Sequence, residues 1–216
     1  MPQDIETIGQ IAIDRLTLKH AAREQALPKS RSAIRHCANS IRAVHRHEYS
    51  RAEELRAQAA RLIAEMAEDL RDHPDIYYAG FVQDAQKEYA EAVTFAALTQ
   101  HQSLPTSEDL AIGDAPYLNG LAEAVGEMRR YVLDQLRRGN FADSEIYLNY
   151  MDDIYAVLTS IDFPDAITSG LRRSTDAARG ILEKTRGDLT AAVSQAQLQQ
   201  SMQQLQQELQ RYQRNQ

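Results

Sequence analysis

A single cysteine, Cys37, leaves no partner for an intramolecular disulfide and fits a reducing, cytoplasmic setting. No apolar stretch approaches the roughly 18–20 residues that span a bilayer, so a membrane partner is not expected. The opening MPQDIETIGQ is acidic and polar, unlike a secretory leader. Alternating β-branched runs are absent, which argues against a sheet. Several catalytic signatures are missing as well: there is no H-E-x-x-H, no E-x-x-H repeat, no P-loop and no G-x-S-x-G.

Helical periodicity fills the space these absences leave. Ile8, Ile11, Ala12, Leu16 and Leu18 open an amphipathic helix toward Leu27, which Pro28 is expected to interrupt or kink. A second helix over about 30–48 carries Ile34, Cys37, Ala38, Ile41 and Val44 on one face. Ser50 and Glu53 read as a capping box opening a third, which Pro74 stops. Further helices are predicted over about 75–101, 116–138 (closed by Gly139), 142–159, and from 168 toward the C-terminus. The pattern predicts an all-α, single-domain bundle of about six or seven helices over residues 1–190. Residues 191–216 form a Gln-rich extension, with Leu198, Met202, Leu205, Leu209 and Tyr212 spaced as a seam of about two heptads. Such a short seam fits a self-association helix or a polar, fraying tail.

Charge is unevenly spread along a chain whose net charge is −7. Residues 28–51 hold six Lys or Arg, three His and one acid, whereas residues 140–165 hold six acids and no Lys or Arg. A local basic patch can bind phosphate backbones on an acidic protein, because affinity follows local potential. A solvated helix face explains the same pattern equally well. His36, His45 and His47 are open to both readings, and Cys37 lies on an apolar stripe and reads as core.

The chemistry concentrates in two short segments. In QKEYAEAVTFAAL (86–98), Glu88 and Glu91 sit i,i+3 on a helix that is otherwise apolar from Ala90 to Leu98. In NGLAEAVGEMRR (119–130), Glu123 and Glu127 are i,i+4 and separated only by Ala124, Val125 and Gly126. Carboxylates on apolar faces need pairing, protonation or a metal. An all-oxygen set selects Mg²⁺ or Mn²⁺ before Zn²⁺, and such an ion suits phosphodiester or phosphoanhydride hydrolysis. With 31 acids in the chain, such pairs also arise by chance on solvated faces.

QKEYAEAVTF (86–95), DAPYLNGLAEAVGEMRRYVLDQLRRGNF (114–141) and the following EIYLNYMDDIYAVLTSIDF resemble the translin and TRAX proteins. The resemblance covers about residues 72–190, thins over 10–72, and is absent from the Gln-rich tail. It implies an all-α bundle of about seven helices, assembled into a hollow, octamer-like homo-oligomeric shell that binds single-stranded RNA or DNA inside. It also implies the Mg²⁺-dependent endoribonuclease activity of TRAX in the complex called C3PO, with a metal-activated water attacking the phosphodiester. The TRAX catalytic and metal-binding acids carry over onto Glu88, Glu91, Glu123 and Glu127. Glu123 departs from the pattern, standing where TRAX has aspartate. The basic N-terminal region of the family carries over onto Arg31, Arg35, Arg42 and Arg46, with Arg129 and Arg130 as further phosphate contacts. Two rivals remain at this stage: a non-catalytic, translin-like binding shell, and an all-α nucleotide pyrophosphohydrolase.

Overall fold

The computed structural model describes residues 4–214. Eight helices follow one another: α1 (Ile5–His45), α2 (Tyr49–Asp69), α3 (Pro74–Tyr77), α4 (Gly80–Thr99), α5 (Asp114–Arg137), α6 (Phe141–Ser160), α7 (Asp165–Thr168) and α8 (Leu171–Arg214). Two of the eight, α3 and α7, are four-residue turns. The other six are the long helices that periodicity predicts, with the first two predicted segments fused into α1, and no strand occurs among the described residues.

The clearest departure is at Pro28, which lies inside a continuous 41-residue α1 instead of ending a helix. An interior proline costs about 3 kcal/mol or more through its lost hydrogen bond and ring clash. Burial begins at this point: Ala26, Ser30, Ala33 and Cys37 are all buried, and the Ser30 hydroxyl donates to the Phe81 carbonyl at 2.6 Å. Tertiary packing thus holds the helix through the proline, while the stretch before it carries the exposed Ile5, Ile8, Leu16 and Leu18.

The predicted capping box also fails to form. α2 starts at Tyr49, its N-cap is Glu48 with no side-chain cap bond, and Glu53 pairs with the buried Arg56. The three-residue turn between α1 and α2 places His47 at φ 60, and this geometry puts Ser50 inside the helix.

α1 packs on α2 and α4, α4 on α5, and α5 also on α6 and α8. The core runs through Val44, Met66, Val82, Phe95, Val125, Met128, Met151 and Leu189, none more than 1% exposed. Gly139 closes α5 at φ 79, as the sequence predicts for a C-terminal glycine. α8 runs unbroken for 44 residues, and its seam residues Leu198, Met202, Leu205, Leu209 and Tyr212 are all exposed. No helix among the described residues is long and apolar enough to cross a membrane.

Candidate metal centre

α4 and α5 are held close enough to share a site by Gly120. A Cβ there would come within 2.6 Å of both the Ala90 Cβ and the Lys87 carbonyl, so only glycine lets α5 lie against α4 at this level. Gln86, fully buried, fixes the same region: its amide donates to the Tyr77 hydroxyl at 2.9 Å and its carbonyl accepts from the Gly113 N–H at 3.4 Å. Asn119, buried on α5, donates to the Ala115 and Thr168 carbonyls and accepts from the Ser174 hydroxyl, tying the start of α8 to α5.

One turn beyond Gly120, Glu123 meets the two acids of α4. One carboxylate oxygen each from Glu88, Glu91 and Glu123 lie within 4.8 Å of one another. Glu91 is buried at 9% exposure, and burial pushes its carboxyl up to about 8, with the charges of Glu88, Glu123 and Glu127 acting in the same direction. Glu88 shifts upward too, through burial and then the charge of Glu123. Lys87 donates to Glu123 at 2.7 Å. Burial pulls the Lys87 ammonium down, but its bond to Glu123 and the charges of Glu123, Asp84 and Glu88 outweigh this and hold it above the ordinary lysine value.

Glu127 stands apart from this trio. The His45 Nε2 donates to its carboxylate at 2.5 Å, and Arg130 lies 3.9 Å away. The His45 bond holds the Glu127 carboxyl below the usual range against the opposing effect of burial. His45 stacks near Phe95, with ring centroids 4.7 Å apart, and its Nδ1 is buried without a partner. The fourth acid is therefore oriented by α1, two turns past Gly120. No local signal identifies this partnership, because His45 and Glu127 are 82 residues apart.

The three oxygen donors fit a small hard cation. Octahedral Mg²⁺ takes oxygens at about 2.0–2.1 Å, which places ligand oxygens roughly 3–4 Å from one another. Three carboxylates within 4.8 Å, one of them buried, meet that requirement with small side-chain adjustment. The trio lines a cavity of about 510 Å³ whose far wall is α8, through Arg173, Ser174 and Ile181. Arg173 is the charged residue that reading the sequence missed, since the chain between α5 and α8 hides its proximity.

The six arginines named from sequence fall into different settings. Arg31, Arg35 and Arg42 are exposed on α1, and Arg46 is exposed at its C-cap; Arg42 bonds Asn39 and Arg46 pairs with Glu48. Arg129 is largely buried and joins α5 to α8 through Asp188 at 2.7 Å and the Thr185 hydroxyl at 3.1 Å. Arg130 is exposed beside Glu127. None of the six lines the cavity at the carboxylates.

No family model matches the chain. Among curated proteins it is 30% identical over 191 residues to an uncharacterized protein of Methanocaldococcus jannaschii, MJ0175, covering 87% of this chain and 84% of that one. Among solved structures, it is similar to AfC3PO at 36% identity with a TM-score of 0.79. It is also similar to AfC3PO in complex with duplex RNA, at 34% identity with a TM-score of 0.77. Each alignment covers 86% of this chain and 96% of the other. Apo-NeC3PO shares the fold at 19% identity, with a TM-score of 0.77 over 88% of this chain and 99% of that one. The chain belongs to the C3PO family, the translin/TRAX group.

Proposed function

We propose that this protein is a divalent-metal-dependent endoribonuclease working inside a homo-oligomeric, octamer-like shell in the cytoplasm. The observation that carries the reading is the meeting of Glu88, Glu91 and Glu123 on one cavity wall. Glu88, Glu91 and Glu123 would hold Mg²⁺ or Mn²⁺, with Glu127 close enough for its charge to act on both Glu88 and Glu91. A cation held there would supply a water of lowered pKa and stabilise negative charge on the phosphodiester oxygens.

The chain's own residues prepare this chemistry. Gly120 and Gln86 fix the spacing of α4 and α5, so the acids converge with only small side-chain adjustment. Lys87 offsets part of the repulsion among the acids. His45 keeps Glu127 ionised and directed. Exposed arginines on α1, with Arg130, hold backbone phosphates without reading bases, so binding is salt-sensitive and weakly sequence-selective.

RNA as the substrate is supported by the solved complex of AfC3PO with duplex RNA. Single-stranded RNA is the proposed substrate for cleavage, and a duplex competes for the same interior. A catalytically silent shell is the second reading; it is favoured by the engagement of Glu123 by Lys87 and of Glu127 by His45. The test is incubation of the purified protein with labelled single-stranded RNA, the matching duplex and a nucleoside triphosphate panel, with Mg²⁺ or with chelator. Mg²⁺-dependent cutting of the single strand supports the proposal. Binding without cutting establishes the silent shell, and triphosphate hydrolysis alone moves the protein to a pyrophosphohydrolase.

A further inference from the structure

Resting on that reading, we infer that Arg173 is the residue that grips the reacting phosphodiester across the cavity from the carboxylates.

Arg173 lies in the first turn of α8 and faces Glu88, Glu91 and Glu123 across the cavity. Three carboxylates stand on the opposite wall, yet Arg173 makes no ion pair among the described residues, whereas its neighbour Arg172 pairs with Asp162. Lys87, in contrast, pairs with Glu123 on the acids' own wall. Arg173 is exposed, on a start of α8 that is fixed in place. Ser169 at φ 52 and Gly170 at φ 81 set the turn into the helix. The Ser174 hydroxyl then donates to Asn119 at 2.7 Å, and Asn119 also bonds the Thr168 carbonyl.

With a cation held by the acids on one wall and an unpaired guanidinium on the other, the cavity would suit a ligand negative on both sides. A phosphodiester meets that description: the acids would supply a cation for its charge on one side, and a non-bridging oxygen on the other would accept from the Arg173 guanidinium. Arg173 and Ser174 also line a second cavity of about 290 Å³, which shares Glu123 with the first and adds Gln83, Asp84, Lys87 and Ser169. Arg173 therefore stands where two cavities meet, so a strand crossing the carboxylates passes it before reaching the next nucleotide position. The arginines of α1 lie outside both cavities. They serve general attachment, while Arg173 serves registration of one phosphate.

The test uses full-length wild type, Arg173→Ala, Arg173→Lys and, as a neighbouring control, Arg172→Ala. Labelled single-stranded RNA is titrated in Ca²⁺ over a series of salt concentrations, Mn²⁺ is titrated alone, and cleavage is measured in Mg²⁺. Arg173→Ala should weaken RNA binding several-fold and reduce the salt slope by about 0.7, the single-strand value for one phosphate contact. It should lower kcat/KM by at least tenfold, with partial rescue by lysine, and Mn²⁺ affinity should stay equal or rise. Unchanged salt slope and kcat/KM in Arg173→Ala, beside a wild type that binds and cuts RNA, overturns the inference and leaves the ribonuclease reading standing. A fall in Mn²⁺ affinity, or an equal loss in Arg172→Ala, overturns it too. A wild type that binds no RNA overturns both.

Discussion

Gly120 on α5 rests directly on Ala90 of α4: a methyl group at position 120 would sit 2.6 Å from the Ala90 Cβ. This contact sets the distance between the two helices that supply the acids. Glu88 and Glu91 flank the contact on one helix, and Glu123 follows it by three residues on the other. Replacing Gly120 with alanine gains about 1 kcal/mol of helix propensity but forces the backbones apart, at about 1–3 kcal/mol. The Gly120→Ala variant should therefore be no more stable than wild type and should bind Mn²⁺ at least tenfold more weakly by calorimetry. Wild-type Mn²⁺ affinity in this variant would show that the helix contact does not set the site.

Glu91 gives a pH signature to the protein without metal. Its carboxyl, pushed up from 4.5 to about 8 by burial and neighbouring acids, keeps a proton in the folded chain that the unfolded chain has released. The folded state then binds more protons than the unfolded state between those values, so stability falls as pH rises across the window. Denaturant melts in chelator from pH 5 to pH 8 should show this decline. Glu91→Gln should flatten it, and saturating Mg²⁺ should do the same in wild type by replacing the proton. An equally steep decline in Glu91→Gln would place the proton elsewhere.

His45 acts on Glu127 in the opposite direction. The depressed Glu127 carboxyl contributes stability above its unfolded value of 4.5, and that contribution is lost as pH falls through the lower folded value. His45→Ala removes the 2.5 Å bond and the ring packed on Phe95. It should cost about 2–4 kcal/mol at pH 7, as a core truncation with a lost charge-assisted bond. The stability gap from wild type should narrow at pH 4. A gap independent of pH would assign the whole effect to packing.

Arg129 and Arg130 should separate structure from binding. Arg129 joins α5 to α8 through Asp188 and Thr185, so Arg129→Ala should cost about 1–2 kcal/mol of stability while leaving the salt dependence of RNA binding unchanged. Exposed Arg130 should behave in reverse, with stability within about 0.5 kcal/mol of wild type and weaker RNA binding. Parallel melts and filter-binding titrations distinguish the pair.

The sequence made the α4–α5 half of the site legible because its signals are local. Glu88 and Glu91 are one turn apart, Glu123 lies on an apolar face, and Gly139 marks where α5 ends. The misread features depend on contacts distant in sequence. Pro28 stays helical because Ala26, Ser30 and Ala33 are packed by other helices, which a local proline rule does not weigh. Ser50 and Glu53 match a capping pattern, but the turn at His47 starts α2 two residues early and the buried Arg56 takes Glu53. Arg129 and Arg130 are adjacent and identical in type, and their different settings follow from the docking of α8. Arg173 comes to line the carboxylates' cavity only through the turn at Ser169 and Gly170.

The most direct test compares the cleavage of labelled single-stranded RNA in Mg²⁺ by wild type and by Glu88→Gln/Glu91→Gln, with both assemblies sized beforehand. The double substitution keeps side-chain shape and removes two of the three converging carboxyl groups. Wild type should cut, and chelator should stop it. The variant should retain its size and its RNA binding while losing at least a thousandfold in rate, about 4 kcal/mol of transition-state stabilisation. Cleavage by the variant at the wild-type rate would contradict the account.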